Sequence, residues 1–215
     1  MRCRAYPQTR DYENLQRAMF AGKPPLGIPV LAPAEYPDPE PAWISFNFMR
    51  GDETPGRHGL HFFLDAAQFA RIWDNPEPYV DKLARYRAVL APDFEIPAEY
   101  PLAVRQFNHY RKHWLAAWWA LQGVCVIPTV RWGAPDTYDW CFDGEPTGSC
   151  LAVNASKAQE SDDAREAFVR GYRTMLARLA PVHVITYGDL PPECEQAGPT
   201  ITTIPRFENR WLGAI

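Results

Sequence analysis

The chain has 215 residues, a formal net charge of −4 at pH 7 and 47% hydrophobic residues. This length supports one sizeable core with an appendage, but hardly two full domains. No stretch approaches the roughly 20 uninterrupted apolar residues of a membrane span, and the acidic balance disfavours nonspecific binding to nucleic acid. The composition therefore predicts a cytoplasmic protein that contacts no membrane and has nucleic acid as a disfavoured partner.

The predicted elements begin with a proline-rich N-terminal arm over residues 1–41, of which "GKPPLGIPVLAPAEYPDPEP" is typical. An α/β domain is predicted over 42–190, and a C-terminal extension over 191–215 is expected to pack on it. The five cysteines include no Cys-x-x-Cys pair, which argues against a disulfide framework or a zinc knuckle. We therefore do not expect the cysteines to bind a metal.

Short apolar runs of strand length alternate with segments of helical period between residues 59 and 188. Because these runs contain few polar residues, they are typical of strands buried on both faces, as in a parallel sheet. The predicted strands are 60–64, 88–91, 124–130, 150–153 and 182–187, with 43–48 as a further candidate. The predicted fold class is α/β, a mainly parallel sheet of about five or six strands with flanking helices, open or barrel-like.

Two long helices are predicted. One begins near Pro101 and stops at Gly123, and the other has Ser161 as its N-cap and ends before Pro181. Weaker helical patterns cover 66–73 and 78–86. Each long helix is expected to bury an apolar stripe. The first stripe consists of Phe107, Tyr110, Trp114, Trp118 and Leu121, and the second of Ala164, Phe168, Gly171, Tyr172, Met175 and Leu179.

Polar and aromatic side chains follow the predicted strands at the points where the strands end. In a parallel α/β sheet these carboxyl ends meet at one rim, where ligands bind. We predict that Asp93 or Asp65 acts as an acid or base, and that Arg131 orients or neutralises an anion. The predicted substrate-binding residues are Arg105, Asn108, Trp132, Asp139, Asp143, Asn154 and Tyr187.

These residues also have a purely structural interpretation. Arg131 can pair with a carboxylate and fix the loop that follows it, since arginine forms bidentate pairs readily. Asp65 and Asp93 can cap the next element, and Trp132 and Tyr187 can be packing residues. The polar residues of the first long helix can simply face solvent. Both interpretations stay open at the level of the sequence.

The segment 133–149 is long for a loop without a periodic pattern, and it combines acidic and aromatic side chains. We therefore expect it to form a lid or a binding loop over the rim. His109 and His113 have a spacing that can bind a metal, but the glutamate of the His-Glu-x-x-His motif is absent. Because no glycine-rich nucleotide loop or nucleophile elbow occurs either, no metal and no other cofactor is predicted.

Four spaced segments carry a family signature: "VLAPDFEIPAEYP", "NHYRKHWLAAWWALQGVCVIPTVRW", "CFDGEPTGS" and "FVRGYRTMLARLAPVHVITYG". Together they resemble the family catalogued as domain of unknown function 4417, over about residues 60 to 188. The resemblance implies a phage or mobile-element setting. It implies no activity and supplies no catalytic residue.

Two functions fit these observations. The first is a small hydrolase or transferase that acts on an anionic substrate, carrying a phosphate, nucleotide or sugar group, at the C-terminal ends of the strands. The alternative is a non-catalytic phage or mobile-element protein that binds a host protein through the aromatic and acidic loop. A concave pocket with converging polar groups would favour the enzyme, and a flat exposed aromatic patch the binding protein.

A third function, contact with nucleic acid, would require the basic residues of the first long helix to form one exposed face. Those residues are Arg105, His109, Arg111 and Lys112. They spread around most of a helical turn, so this function is disfavoured. Whether the protein is an enzyme at all, and in which oligomeric state it acts, stay open.

Overall fold

The computed structural model describes residues 11–194 and 198–206. The strands in this part of the chain are β1 (Gly22–Lys23), β2 (Ile28–Pro29), β3 (Ala42–Ser45), β4 (His58–His61), β5 (Ala88–Leu90), β6 (Val126–Ile127), β7 (Cys150–Asn154), β8 (His183–Tyr187) and β9 (Thr200–Ile204). The helices are α1 (Arg71–Asp74), α2 (Glu77–Leu83), α3 (Leu102–Leu121) and α4 (Asp162–Leu179). Strands β1 and β2 form an antiparallel hairpin, and the others form a four-stranded sheet, β3–β4–β5–β6, and a three-stranded sheet, β7–β8–β9. Every neighbouring pair in these two sheets is parallel, so the predicted α/β class is confirmed.

The two parallel sheets form one continuous row, because the chain just after β6 pairs with β7. Thr129 makes an isolated parallel bridge with Ala152, whose carbonyl accepts a hydrogen bond from the amide of Val130 over 2.8 Å. Pro128 has no amide to donate, and the chain changes its pairing partner from β5 to β7 at this residue. The strands therefore follow one another in sequence order, as in a barrel, without the reversal of a doubly wound sheet.

The row is curled, but it does not close. Inward-facing side chains from both ends of the row share one apolar cluster: Trp43, Phe63, Ala88, Leu90, Ile127, Cys150, Ala152, Ile185 and Ile204. The intervening residues Val89, Leu151 and Val184 pack outward under the helices. Burial of both strand faces explains why the sequence runs do not alternate. Among the described residues no ladder joins β3 to β9.

The predicted strands all lie in the parallel row, with shifted bounds. The segment 43–48 is a strand only as far as Ser45 and continues as a 3-10 helix, Phe46–Gly51. The predicted 124–130 strand contains only two residues paired with β5, because Pro128 interrupts the ladder. Strand β9 was not predicted, since its outer side chains are exposed and "TITTI" is no continuous apolar run.

The apolar stripe predicted for α3 is wrong at both ends. Trp114 and Trp118 are buried, but Phe107 is 40% and Leu121 68% exposed, and Tyr110 is half-buried. The inward face instead carries a series of polar side chains, namely Arg105, Asn108, His109, Lys112 and His113. Burial of these groups is tolerated because each makes at least one hydrogen bond to the segments that cover the helix, although Nε and Nη1 of Arg105 have no partner among the described residues.

Helix α4 agrees with its prediction. The side-chain oxygen of Ser161 accepts a hydrogen bond from the amide of Ala164 over 3.1 Å, so Ser161 is the N-cap. The buried face contains five of the six predicted residues, with Val169 in addition, whereas Ala164 is half-buried. In the described part of the chain no helix combines the length and the apolar character that a membrane span needs.

The described part of the proline-rich arm wraps around α3 and the base of the row. The indole nitrogen of Trp114 donates to the carbonyl of Ala18 over 3.0 Å, and Tyr36 stacks on His183 with ring centroids 3.9 Å apart. The C-terminal extension contributes β9 to the sheet. The division into arm, domain and extension stays a prediction, and residues 1–10, 195–197 and 207–215 lie outside the described residues.

Candidate functional site

Three of the predicted site residues meet at the C-terminal ends of β5, β6 and β7. Nη1 of Arg131 donates to Oδ2 of Asp93 over 2.5 Å, and Nδ2 of Asn154 donates to the same oxygen over 3.2 Å. Ser156 orients the Asn154 amide, because its backbone amide and its hydroxyl both donate to Oδ1, over 3.1 and 2.6 Å. A chain of hydrogen bonds thus runs from Ser156 through Asn154 and Asp93 to Arg131.

Asp93 is the most buried acid of this group, with 3% exposure. Its second oxygen, Oδ1, is buried and has no hydrogen-bond donor among the described residues. A buried polar atom without a partner costs about 1–3 kcal/mol, so proteins normally satisfy it with water or a ligand. Oδ1 of Asp93 is therefore a hydrogen-bond acceptor that the described residues leave unused.

Arg131 faces two acids and shares one of them with a lysine. Its Nη2 lies 3.5 Å from Oε1 of Glu95, and Nζ of Lys157 lies 3.5 Å from the same oxygen. Burial lowers the pKa of the Arg131 guanidinium, but the carboxylates of Asp93 and Glu95 outweigh burial and raise the pKa above its ordinary value. Glu95 therefore sits loosely between two permanent cations.

A cavity of about 200 Å³ opens beside these cations. Arg131, Asn154 and Lys157 line its polar side, and Trp132 and Phe168 form an apolar wall, with ring centroids 5.2 Å apart. The indole of Trp132 fits only because the neighbouring residue 171 on α4 is glycine, where an added Cβ would lie 2.0 Å from the indole nitrogen. The cavity thus offers two cations and an amide to a small anion. We call it the Arg131 cavity.

Two further predicted residues lie directly behind this rim. Arg105 pairs with Asp136 over 3.0 Å, and Nδ2 of Asn108 donates to the backbone carbonyl of Glu95 over 2.5 Å. Both side chains are buried and hold the loops that carry the site. Tyr187 ends β8 inside the curled row, with its ring 5.3 Å from that of His61.

Besides Tyr187, three predicted residues are not brought to the site. Asp65 is exposed and caps a 3-10 helix, where its Oδ1 accepts from the amide of Ala67 over 2.8 Å. Asp143 pairs with Lys23 of the N-terminal hairpin over 2.8 Å. Asp139 is exposed on the loop. For Asp65, the structure shows the capping role that the sequence left open.

The loop 133–149 packs into the protein and does not present an aromatic patch. Trp140 and Phe142 are each 7% exposed and belong to the apolar cluster under α4. The guanidinium of Arg178 lies over the Phe142 ring at 5.4 Å, which closes the loop against α4. The loop therefore frames the rim as a fixed wall.

A buried ionic cluster joins this loop to α3. Nζ of Lys112 donates to Oε1 of Glu145 over 2.6 Å and to the carbonyl of Thr129 over 2.8 Å. Nε2 of His113 lies 3.0 Å from the same Glu145 oxygen. Burial alone would raise the pKa of Glu145, but Lys112 and His113 lower it below its usual range. Glu145 is therefore an ionised carboxylate held by a fixed ammonium group.

The same cluster resembles a metal site. The possible ligand atoms of His109, His113 and Glu145 all lie within 4.8 Å of one another. The Lys112 ammonium, however, pairs with Oε1 of Glu145, and it would repel a divalent cation even at Oε2, the oxygen that has no partner among the described residues. These residues therefore do not fit a metal, and the cluster locks the loop instead.

The basic residues of α3 do not form an exposed face. Lys112 is paired in the cluster above, and Arg105 is buried against Asp136. The guanidinium of Arg111 lies 3.7 Å from the centroid of the Phe94 ring. The footprint that nucleic-acid contact would require is therefore missing from this helix.

Sequence reasoning assigned no role to Lys157 or His61. Lys157 follows Asn154 by three residues and lines the Arg131 cavity. His61 ends β4, where the predicted strand 60–64 ran past it and concealed that it stands at a strand end. The rule that strand ends carry the site would have found His61 if the bounds of β4 had been known. It could also have found Lys157, because the end of β7 was predicted to within one residue.

Comparison with known proteins places the chain in a family. The model of DUF4417, a domain of unknown function, matches residues 20–205, and the chain belongs to this family. It is 34% identical over 214 residues to the Gene 1 protein of Mycobacterium phage L5, covering 97% of this chain and 92% of the relative. It is also 34% identical over 207 residues to the Gene 1 protein of Mycobacterium phage D29, covering 95% and 75%. No solved structure matches.

The family match confirms the resemblance seen in the four sequence segments. It also extends further than they do, since it includes the second half of the proline-rich arm, from residue 20, and reaches β9. Both relatives are phage proteins, as the resemblance implied.

Proposed function

We propose that this protein is a small hydrolase or transferase that acts on an anionic substrate at the C-terminal ends of its strands. The substrate carries a phosphate, nucleotide or sugar group. One observation carries the proposal: Arg131 and Lys157 line a cavity, and Arg131 also bonds Asp93, a buried carboxylate with one oxygen that has no partner among the described residues. Converging cations and a buried acid in a concave site are typical of enzymes that process anions.

Each residue has a distinct role in this proposal. Arg131 and Lys157 bind the anionic group, and Trp132 forms the apolar side of the pocket. Asp93 takes the proton of an attacking water or hydroxyl group through Oδ1 and returns it to the leaving group as the substrate bond breaks, which requires that substrate binding expose this buried oxygen. Asn154 and Arg131 hold Oδ2. General base catalysis of this kind typically contributes about 10²- to 10⁴-fold to a rate.

In the absence of a substrate, Glu95 balances the positive charges of Arg131 and Lys157. Its carboxylate is 3.5 Å from both cations, longer than a charge-assisted hydrogen bond of about 2.7–2.9 Å. A substrate anion that bonds Arg131 and Lys157 more closely would displace it. Glu95 thus acts as an internal substitute for the anion.

The alternative, a non-catalytic phage protein that binds a host protein through the loop, has less support. It requires exposed aromatic anchors in the loop, but of the two candidates Trp140 is buried and Tyr138 is half-buried. A cytoplasmic location belongs to the proposal of an enzyme, since small phosphorylated and sugar-derived anions are abundant in that compartment.

Thermal unfolding with anions that carry no aromatic ring tests the proposal. We expect inorganic phosphate, glucose 6-phosphate or glucuronate to raise the melting temperature, by about 5 °C or more at 100 times its Kd. Arg131→Met and Lys157→Met should each abolish the shift. Lys157 is exposed, so its substitution leaves the fold intact. Arg57→Met, at an exposed arginine just before β4, is the matched control and should keep the shift. No shift with any of the three anions would contradict the proposal.

A further inference from the structure

A second and larger cavity, of about 750 Å³, opens between the first and the last strand of the curled row. Residues 43–45 of β3 line one side, and Ile204, Pro205 and Arg206 line the other. Because no ladder joins β3 to β9 in the described part of the chain, the cavity lies where an eight-stranded barrel would have its remaining strand. We call it the edge cavity.

The edge cavity also opens at the C-terminal ends of the strands. His61 ends β4, and Gly188 and Asp189 follow β8; all three line it. This end of a parallel barrel carries the ligand sites of barrel enzymes, because the loops there supply polar groups to a rigid frame. Its volume lies within the range of about 300–1,000 Å³ that small-molecule sites occupy.

His61 gives the edge cavity a neutral hydrogen-bond donor. The side chain is 5% exposed, and its Nδ1 accepts a hydrogen bond from the amide of Phe63 over 3.3 Å. The ring proton therefore sits on Nε2, the nitrogen that can serve a ligand. Burial lowers the pKa of His61 to about 4, so the ring is uncharged near neutral pH. A neutral N–H donor suits a carbonyl or phosphoryl oxygen.

The walls of the edge cavity add two other features. Trp43 and Phe48 supply aromatic surface, and Phe48 is 51% exposed although it is a large apolar side chain. Arg206, which is exposed at the rim, supplies a cation. Aromatic side chains bind planar rings by stacking, and a guanidinium binds phosphate or carboxylate in a bidentate manner.

We propose that the edge cavity binds a ring-bearing organic anion of about the size of a nucleoside monophosphate. The ring packs against Trp43 and Phe48, an acceptor oxygen receives the His61 N–H, and the anionic group pairs with Arg206. This site is separate from the Arg131 cavity, which Lys157 and Trp132 line on the other side of the loop after β7. Ser156 lines the edge cavity and bonds Asn154, so the two cavities adjoin the same hydrogen-bond chain.

Titration calorimetry and thermal unfolding with defined probes test this inference. The probes are adenosine 5′-monophosphate, uridine 5′-monophosphate and 4-hydroxybenzoate, with inorganic phosphate as the ring-free arm. We expect at least one ring-bearing probe to bind, and inorganic phosphate to leave its affinity unchanged. Binding by nucleotides alone identifies the anion as a phosphate, whereas binding by 4-hydroxybenzoate alone identifies it as a carboxylate.

Variants assign the bound probe to its cavity. His61→Phe keeps a ring but removes the donor, and Arg206→Met removes the exposed cation; each should weaken binding about ten-fold. The control Arg57→Met should leave it unchanged. If Lys157→Met, which alters only the Arg131 cavity and leaves the fold intact, abolishes binding while His61→Phe and Arg206→Met do not, the probe lies in the Arg131 cavity, which overturns this inference and leaves the proposed function standing. Failure of all three ring-bearing probes to bind also overturns it.

Discussion

Arg131 and Asp93 form the central ion pair of the rim, with Nη1 2.5 Å from Oδ2 although 38 residues separate them in the sequence. The Arg131 side chain is 19% exposed and that of Asp93 is 3% exposed, so both charges are largely removed from water. Each buried charge is therefore compensated mainly by the other. Removal of one partner leaves the other buried without compensation.

A double-mutant cycle measures this dependence. We expect Arg131→Met and Asp93→Asn each to lower the free energy of unfolding by about 3–5 kcal/mol, since each breaks a buried pair. The double variant should be less destabilised than the sum of the two, with a coupling energy of about 1–3 kcal/mol. Urea denaturation supplies the three values. Additive effects within about 0.5 kcal/mol would show that the pair is not coupled.

Glu95→Gln should strengthen anion binding. It removes the negative charge that stands 3.5 Å from both Arg131 and Lys157, while it keeps the shape of the side chain. A charge at this range contributes about 1 kcal/mol even with the full screening of bulk water, so the affinity for inorganic phosphate should rise at least about five-fold at low salt. Titration calorimetry measures the change, and the exposed Glu99→Gln is the matched control. Equal or weaker binding by Glu95→Gln would mean that no anion takes the position of Glu95.

His61 should make the protein sensitive to acid. Its ring is neutral in the folded and the unfolded chain above pH about 6.5, the ordinary pKa of histidine. Because burial lowers the folded pKa to about 4, only the unfolded chain gains a proton as the pH falls from about 6.5 towards 4. The free energy of unfolding should therefore decrease over this window, by about 3 kcal/mol for this residue. Urea denaturation at pH 7, 5.5 and 4.5 measures the slope.

The matched comparison is His61→Phe against His58→Phe. His58 is half-buried and pairs with Asp52 over 2.8 Å, away from the edge cavity. The slope between pH 6.5 and 4.5 should flatten only in His61→Phe. An unchanged slope in that variant would show that His61 takes up its proton in the folded state as readily as in the unfolded chain.

The sequence predicted the frame of the fold because its signal is local. Leu151 and Ala152 face opposite sides of β7 and are both buried, so the run "CLAV" indicates a strand covered on both faces. Strand β9 was not predicted from the sequence, because an edge strand with exposed threonines has no continuous apolar run. The burial of polar residues on the inward face of α3 was not predicted for another reason. Lys112 and His113 are buried by Glu145, more than 30 residues away, and hydrophobic periodicity cannot reveal such a partner.

The site, like the fold, was predictable where it follows from the strand positions and was not predictable where it depends on partners distant in the sequence. Asp93, Arg131 and Asn154 come together because parallel strands end at one rim, a rule that needs only the strand positions. Asp65 also follows a strand, but a capping aspartate and a catalytic one look the same in sequence. Asp143 was misplaced because its partner, Lys23, belongs to the arm, which no local pattern connects to the loop.

The position of a bound anion tests the central claim most directly. Crystals of the full chain, grown near neutral pH and soaked in inorganic phosphate, would show where the anion binds. We predict a tetrahedral anion within about 3 Å of Nη2 of Arg131 and Nζ of Lys157, with the Glu95 carboxylate displaced from between them. The same soak of Lys157→Met crystals should leave the position empty. Glu95 still bridging the two cations in the wild type, at saturating phosphate, would contradict the account.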